Sequence, residues 1–169
     1  IARVPDVPPP SRETLDASIR KAADFLLKEQ NRDGSWGNHT RTKGLNVLCP
    51  YPEGPRSFRT ASTSLCVIGL LTSPLKEDPA VKASLDKALQ YLLTTLPTLK
   101  RGDTRTVLGV WGHAYGLSAL SRAARNLPAD APLREELKKV ASLQVKALDQ
   151  MADVQGGWGY YTFETFSKR

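Results

Sequence analysis

The sequence predicts an all-α chain, and three observations carry that expectation. Three segments place apolar residues at three-to-four spacing with charges on the opposite side. Two further segments are almost free of charge in their middles, which describes helices surrounded by protein rather than facing water. Strand-like alternation is nowhere convincing, and the 169 residues suit one domain with a core large enough to fold without staples.

Residues 1–12 are a proline-rich lead, with VPDVPPPS over 4–11, expected to be extended; the domain follows over 13–169. Leu15, Ile19, Ala22, Ala23 and Leu26 form one stripe and Asp16, Arg20, Asp24 and Lys28 oppose it, so a helix is expected over roughly 13–30. The connection over 38–58 is long for a helical domain, a length used for lids, binding edges or pendant loops. TASTSLCVIGLL (60–71) is the first enclosed helix.

Asp78 then Pro79 reads as an N-cap with proline at the first helical position, opening a helix to about 97 with the stripe Val81, Leu85, Leu89, Leu92 and Leu96. VLGVWGHAYGLSALSRAA (107–124) is the second enclosed helix. Its Gly109, Gly112 and Gly116 each cost about 1 kcal/mol against alanine, for which close approach of a neighbouring backbone is the expected compensation. A last helix starts near Pro132 and runs through Leu133, Leu137, Val140, Leu143 and Leu148 to about Val154.

Lys and Arg outnumber Asp and Glu by 24 to 17, giving a net charge of +7. The excess lies in separate small groups with no nucleic-acid-binding motif beside them, so nucleic acid is not an expected partner. Cys49 and Cys66 are no disulfide framework, and Cys66 sits in an apolar run that suits a free buried thiol. No run approaches the ~20 apolar residues of a transmembrane helix. The chain begins with Ile1 and carries no signal-peptide pattern, so its start is expected to be processed or cut from something longer.

The amphipathic segments repeat. KAADFLLKEQ begins at Lys21, KALQYLLTTL at Lys87 and KALDQMADVQ at Lys146, after intervals of 66 and 59 residues. Gln30 and Gln155 each stand nine residues after the lysine and precede GSWG (34–37) and GGWG (156–159); the middle copy has Leu96 and no tryptophan. A glutamine at a helix end can offer its amide to unpaired backbone groups, and the glycines allow positive φ. Trp36 is then expected to cover the junction, its indole N–H finding an acceptor.

Lys21-Ala22, Phe25-Leu26, Gln30, Gly34 and Trp36 match the QW motif of squalene and oxidosqualene cyclases residue for residue. From about residue 13 the chain thus resembles the terpenoid cyclase and protein prenyltransferase superfamily. The third copy, with Gln155, Gly156 and Trp158, departs from the pattern: Gln150 and Met151 replace an aromatic residue and a leucine, and the turn reads as shortened. The resemblance implies an α/α toroid, with the helices near 13–30, 79–97 and 132–154 in an outer ring and those near 60–71 and 107–125 in an inner one. Three outer and two inner helices do not close a ring, so a partial toroid is expected: a fragment, or one piece of an assembly that exposes apolar helix sides.

In such toroids the inner helices enclose the ligand cavity. Arg56, Arg59 and Arg105 would stand at positive helix termini and favour an anion, while Trp111, His113 and Tyr115 would supply an aromatic wall with one titratable group. The plainer reading has the arginines satisfying loop carbonyls and His113 as a hydrogen-bonded helix residue.

The superfamily's Asp-x-Asp-Asp acid motif, aspartate-rich magnesium motifs and zinc-ligand pattern find no match, and His39, Cys49, Cys66 and His113 are scattered. No Gly-x-Ser-x-Gly elbow or phosphate loop is present, and no metal or cofactor is expected. The leading expectation is a cavity wall without a catalytic motif that binds a partner or a ligand, the latter a hydrophobic or anionic small molecule, completed by other chains or by a further portion of this one. Two alternatives remain: a fragment of an isoprenoid cyclase or transferase whose catalytic groups lie elsewhere, and a protein-binding scaffold.

Overall fold

A computed structural model of the chain describes residues 8–38, 53–101, 109–153 and 156–159. The described residues form five α-helices and no strand: α1 (Arg12–Glu29), α2 (Glu53–Thr72), α3 (Pro79–Thr95), α4 (Gly109–Asn126) and α5 (Pro132–Met151), with a 3₁₀ turn over Leu96–Thr98. Helix starts follow capping chemistry. The Ser11 hydroxyl accepts from the Thr14 N–H at 3.2 Å, and the Asp78 carboxylate accepts from Ala80 N–H at 2.9 Å with Pro79 behind it. Pro132 opens α5 without a side-chain cap.

The most extensive interfaces join α2 to α4 and α4 to α5, while α3 touches α1, α2 and α5. Val81, Leu85, Leu89, Leu92 and Leu96 are all buried, as the sequence stripe of α3 predicts. The stripe of α1 is different: Ala23 is its one fully buried residue, and Leu15, Ala22 and Phe25 are exposed, because α1 lies at the edge against α3. In α5 the buried stripe is Leu137, Val140, Ala141 and Gln144, and Leu143 faces water instead.

The α2–α4 interface is built from small side chains. Ser57, Thr60, Thr63 and Ser64 are buried on α2. Thr60, Thr63 and Ser64 return their hydroxyls to carbonyls four residues back, so burial leaves no donor stranded. The Ser57 hydroxyl accepts from the Gly112 N–H at 3.2 Å, a bond from the first turn of α4 to α2. A Cβ on Gly112 would lie 2.8 Å from Leu99 Cδ1, 2.9 Å from that hydroxyl and 3.3 Å from the Ser57 carbonyl, so the glycine admits both the Leu99 side chain and the start of α2. Gly116 has another cause, since its missing Cβ makes room for the Leu96 side chain, 2.4 Å from where a Cβ would sit.

The GSWG turn joins three helices. The Gln30 amide donates to Gly34 O at 3.0 Å and to Ser84 O on α3 at 2.9 Å. Gly34 has φ +86°, and a Cβ there would stand 2.3 Å from Lys87 O, so only glycine fits this turn against α3. Trp36 donates its indole N–H to Leu26 O at 2.7 Å and its backbone N–H to the Thr63 hydroxyl of α2 at 2.9 Å.

A second turn has the same geometry. Gly156 has φ +84°, the Trp158 indole donates to Leu148 O at 2.8 Å, and Asp153 N–H bonds Gly157 O as Asn31 N–H bonds Ser35 O, each at 2.9 Å. Each residue here lies the same interval after its counterpart in the first turn, so the second turn is not shortened. That register also corrects the expected equivalence of Gln155 with Gln30: the C-cap of α5, matching Gln30 at the end of α1, is Ala152. The Lys-Ala pairs mislead because the interval is fixed by where each helix ends. Gln155 itself lies outside the described residues.

The two indoles share a hydrogen bond and differ in burial, Trp36 being 4% exposed and Trp158 54%. Trp36→Ala is therefore expected to cost about 3–5 kcal/mol in urea denaturation and Trp158→Ala less than about 1 kcal/mol. Equal losses would show that the hydrogen bond, and not burial, sets the contribution.

Candidate functional site

The sequence places two arginines at the start of α2, and the structure finds both engaged with protein. Arg56 donates to Thr98 O at 3.3 Å and to the Thr98 hydroxyl, and pairs with Glu53 at 3.5 Å, tying the 3₁₀ turn to α2. Arg59 grips both oxygens of Asp33 at 3.1 and 3.0 Å and lies over the Tyr91 ring of α3 at 5.8 Å. Partial burial alone would raise the Asp33 carboxyl. The Ser35 hydroxyl and N–H and the Arg59 guanidinium outweigh that and hold it below the usual carboxylate range. Arg59 thus braces the tryptophan turn from the α2 side, and Arg105 lies outside the described residues.

The three α4 residues separate by helical phase. Trp111 and Tyr115, four apart, stack with ring centroids 5.8 Å apart and planes inclined by 20°. Both are half-buried. His113 is 2% exposed and bonded through Nδ1 to Gln144 Oε1 of α5 at 2.7 Å.

The Gln144 network assigns the tautomer. Its Nε2 donates to Val140 O at 2.9 Å, so Oε1 accepts and His113 carries its proton on Nδ1. His113 Nε2 is then a buried acceptor with no hydrogen-bond partner. Burial depresses the imidazole's pKa, and the bond to Gln144 only partly opposes this. Neutral His113 pins α4 to α5, which removes it from the aromatic pair.

Sequence reasoning missed Gln144 and two exposed apolar residues of α2. Gln144 stands four residues after Val140 and seven after Leu137, a core position at which a polar residue is itself the signal. Phe58 and Leu65, seven residues apart, occupy one face of α2 and are 37% and 49% exposed. With Ser62 and Gly69 they form an exposed stripe along α2, so the helix that its sequence describes as surrounded by protein has one face open to water. Cys66 is partly buried, which pushes its thiol up to about 11; Cys49 lies outside the described residues.

Among the described residues no three His, Cys, Asp or Glu side chains gather as a metal site would require. No helix there is long and apolar enough to cross a membrane. No protein-family model matches the chain, and no solved structure matches it.

The His113 environment sets a pH dependence. Its folded pKa lies below 6.5, so the unfolded chain takes up the proton first and stability falls as pH drops through and below 6.5. The thermal midpoint is expected to decline between about pH 7.5 and pH 5, and His113→Gln is expected to flatten that window. An unchanged slope in His113→Gln would assign the dependence to another group.

Proposed function

We propose that this chain is a partial α/α toroid of the terpenoid cyclase and prenyltransferase type, whose enclosed helices α2 and α4 present a wall that binds an apolar small molecule. The observation that carries the reading is apolar surface on α2 and α4: exposed Phe58 and Leu65 on α2, and the half-buried, stacked Trp111–Tyr115 pair on α4. A helix packed on its other sides keeps large exposed side chains where a ligand or partner covers them. The duplicated turns support the repeat architecture, since both return an indole N–H to a carbonyl ten residues back.

The arginines named from the sequence have a different part in this reading. Arg56 and Arg59 spend their donors on Thr98, Glu53 and Asp33, which leaves the wall's apolar surface as its main means of recognition. A neutral, extended hydrocarbon therefore suits it better than an anion.

Titration of the chain with farnesol, a neutral isoprenoid, tests the reading. Tyr115→Ala and Leu65→Ala are each expected to weaken binding by about tenfold, the effect of roughly 1.4 kcal/mol at an apolar contact. Leu143→Ala on α5 is expected to leave it unchanged. Affinities unaffected by Tyr115 and Leu65, or no heat of binding, would remove the α2–α4 wall as the site.

A further inference from the structure

Between α4 and α5 runs a groove of about 450 Å³, within the roughly 300–1,000 Å³ of small-molecule sites. Its floor is apolar, made by Leu117, Leu120 and Ala124 of α4 and by Ala141 and Val145 of α5. Three cations, Arg125, Arg134 and Lys138, line it, and no acidic side chain does.

The lining is graded along the groove. Arg125 stands at the end of α4 and Arg134 and Lys138 at the start of α5, so the charges gather at the turn between the two helices. Leu117 lies eight residues back along α4, roughly 12 Å at 1.5 Å per residue, and Val145 is correspondingly deep along α5. One end offers positive charge, and the rest offers hydrocarbon interrupted by the hydroxyls of Ser121 and Ser142.

The cations at that end are incompletely satisfied by protein. Arg125 makes no ion pair among the described residues. Among the described residues Arg134 donates to Leu127 O at 3.5 Å, lies close enough to Glu135 to lower its carboxyl, and has its Nε buried without an acceptor. Lys138 pairs with exposed Glu135 at 2.7 Å, in a contact that water screens. An oxyanion at the head of the groove would lie beside the Arg125 and Arg134 guanidiniums, which line it, and neutralise Arg125.

We infer that the α4–α5 groove is a binding site for a single-chain anionic amphiphile, a long-chain carboxylate with its head at Arg125 and Arg134 and its tail along Leu117, Ala141 and Val145. The site is separate from the α2–α4 wall and does not depend on it. Charge decides the occupant: a neutral lipid leaves the guanidiniums unpaired, and a cationic one meets three like charges.

The test is calorimetric titration of the full chain with sodium dodecanoate below its micelle concentration, against dodecyl maltoside and dodecyltrimethylammonium. One saturable site is expected for dodecanoate, with the other two at least about tenfold weaker. Arg125→Gln, an exposed change that leaves the core alone, and Arg134→Gln are each expected to weaken dodecanoate about tenfold. Val145→Trp, at an exposed lining position, is expected to abolish binding by filling the groove, with unchanged circular dichroism reporting an intact fold.

Tyr115→Ala is expected to have no effect on dodecanoate, and loss of binding in that variant would move the carboxylate to the α2–α4 wall and overturn the inference. Equal affinity for the three amphiphiles, or indifference to Arg125→Gln, would also overturn it. So would sedimentation with phosphatidylglycerol vesicles without binding of free dodecanoate, or self-association of the chain that dodecanoate does not compete with.

Discussion

The Gln30 carboxamide sets where the tryptophan turn lies. One amide group donates to Gly34 within its own turn and to Ser84 on α3, so the end of α1 and the middle of α3 share a donor. With the turn seated there, Trp36 is held between the α1 backbone and the Thr63 hydroxyl of α2, and the indole closes one side of the core. Gly34 makes the seating possible, since any side chain would meet the Lys87 carbonyl. Arg59 completes the arrangement by holding the Asp33 carboxylate, which in turn accepts from Ser35. A three-helix junction is thus ordered mainly by polar contacts that each end on a partner, while the apolar content comes from a single large ring.

Elsewhere the helices meet by other means. Glycine and hydroxyl side chains let α2 and α4 approach closely, and the hydroxyls bond within their own helix or to the facing backbone. At the α4–α5 interface a buried contact is polar again, His113 to Gln144, with each residue 2% exposed or less. Its cost is the desolvated Nε2, tolerable while the ring stays neutral. The same burial that fixes the α4–α5 angle therefore ties this interface to proton concentration.

Much of this was legible in the residues. Three-to-four spacing in three segments and the lack of charge in two others located the five helices to within a few residues except at the start of α2, which begins at Glu53 and so takes Arg56 and Arg59 into its first turns. Asp78-Pro79 marked the start of α3, and the Gly-Ser-Trp-Gly run marked a turn with positive φ and a satisfied indole. The failures have physical causes. Helical periodicity shows which residues share a face but not whether a neighbour covers it, so Leu15 and Leu143 looked like core and are exposed. Composition treats glutamine as polar and hence outward, whereas Gln144 is buried because one specific imidazole lies opposite. For the candidate site, aromatic spacing identified the Trp111–Tyr115 stack, but His113, two residues from each, points about a half-turn away on the helix.

The C-cap position shows how helix ends take different duties according to their neighbours. In α1 it is Gln30, which reaches polar groups of α3; in α3 it is Leu96, whose side chain lodges in the notch left by Gly116 of α4; in α5 it is buried Ala152. Polar Gln30 faces carbonyls, where an aliphatic chain would strand them, and Leu96 faces an apolar notch, where an amide would lose its hydrogen bonds. Exchanging the two residues would conserve composition and spoil both contacts. Repetition here therefore resides in turn geometry, in the positive-φ glycine and the indole returned to the preceding helix, while the side chain at the cap is chosen by whichever helix lies beside it.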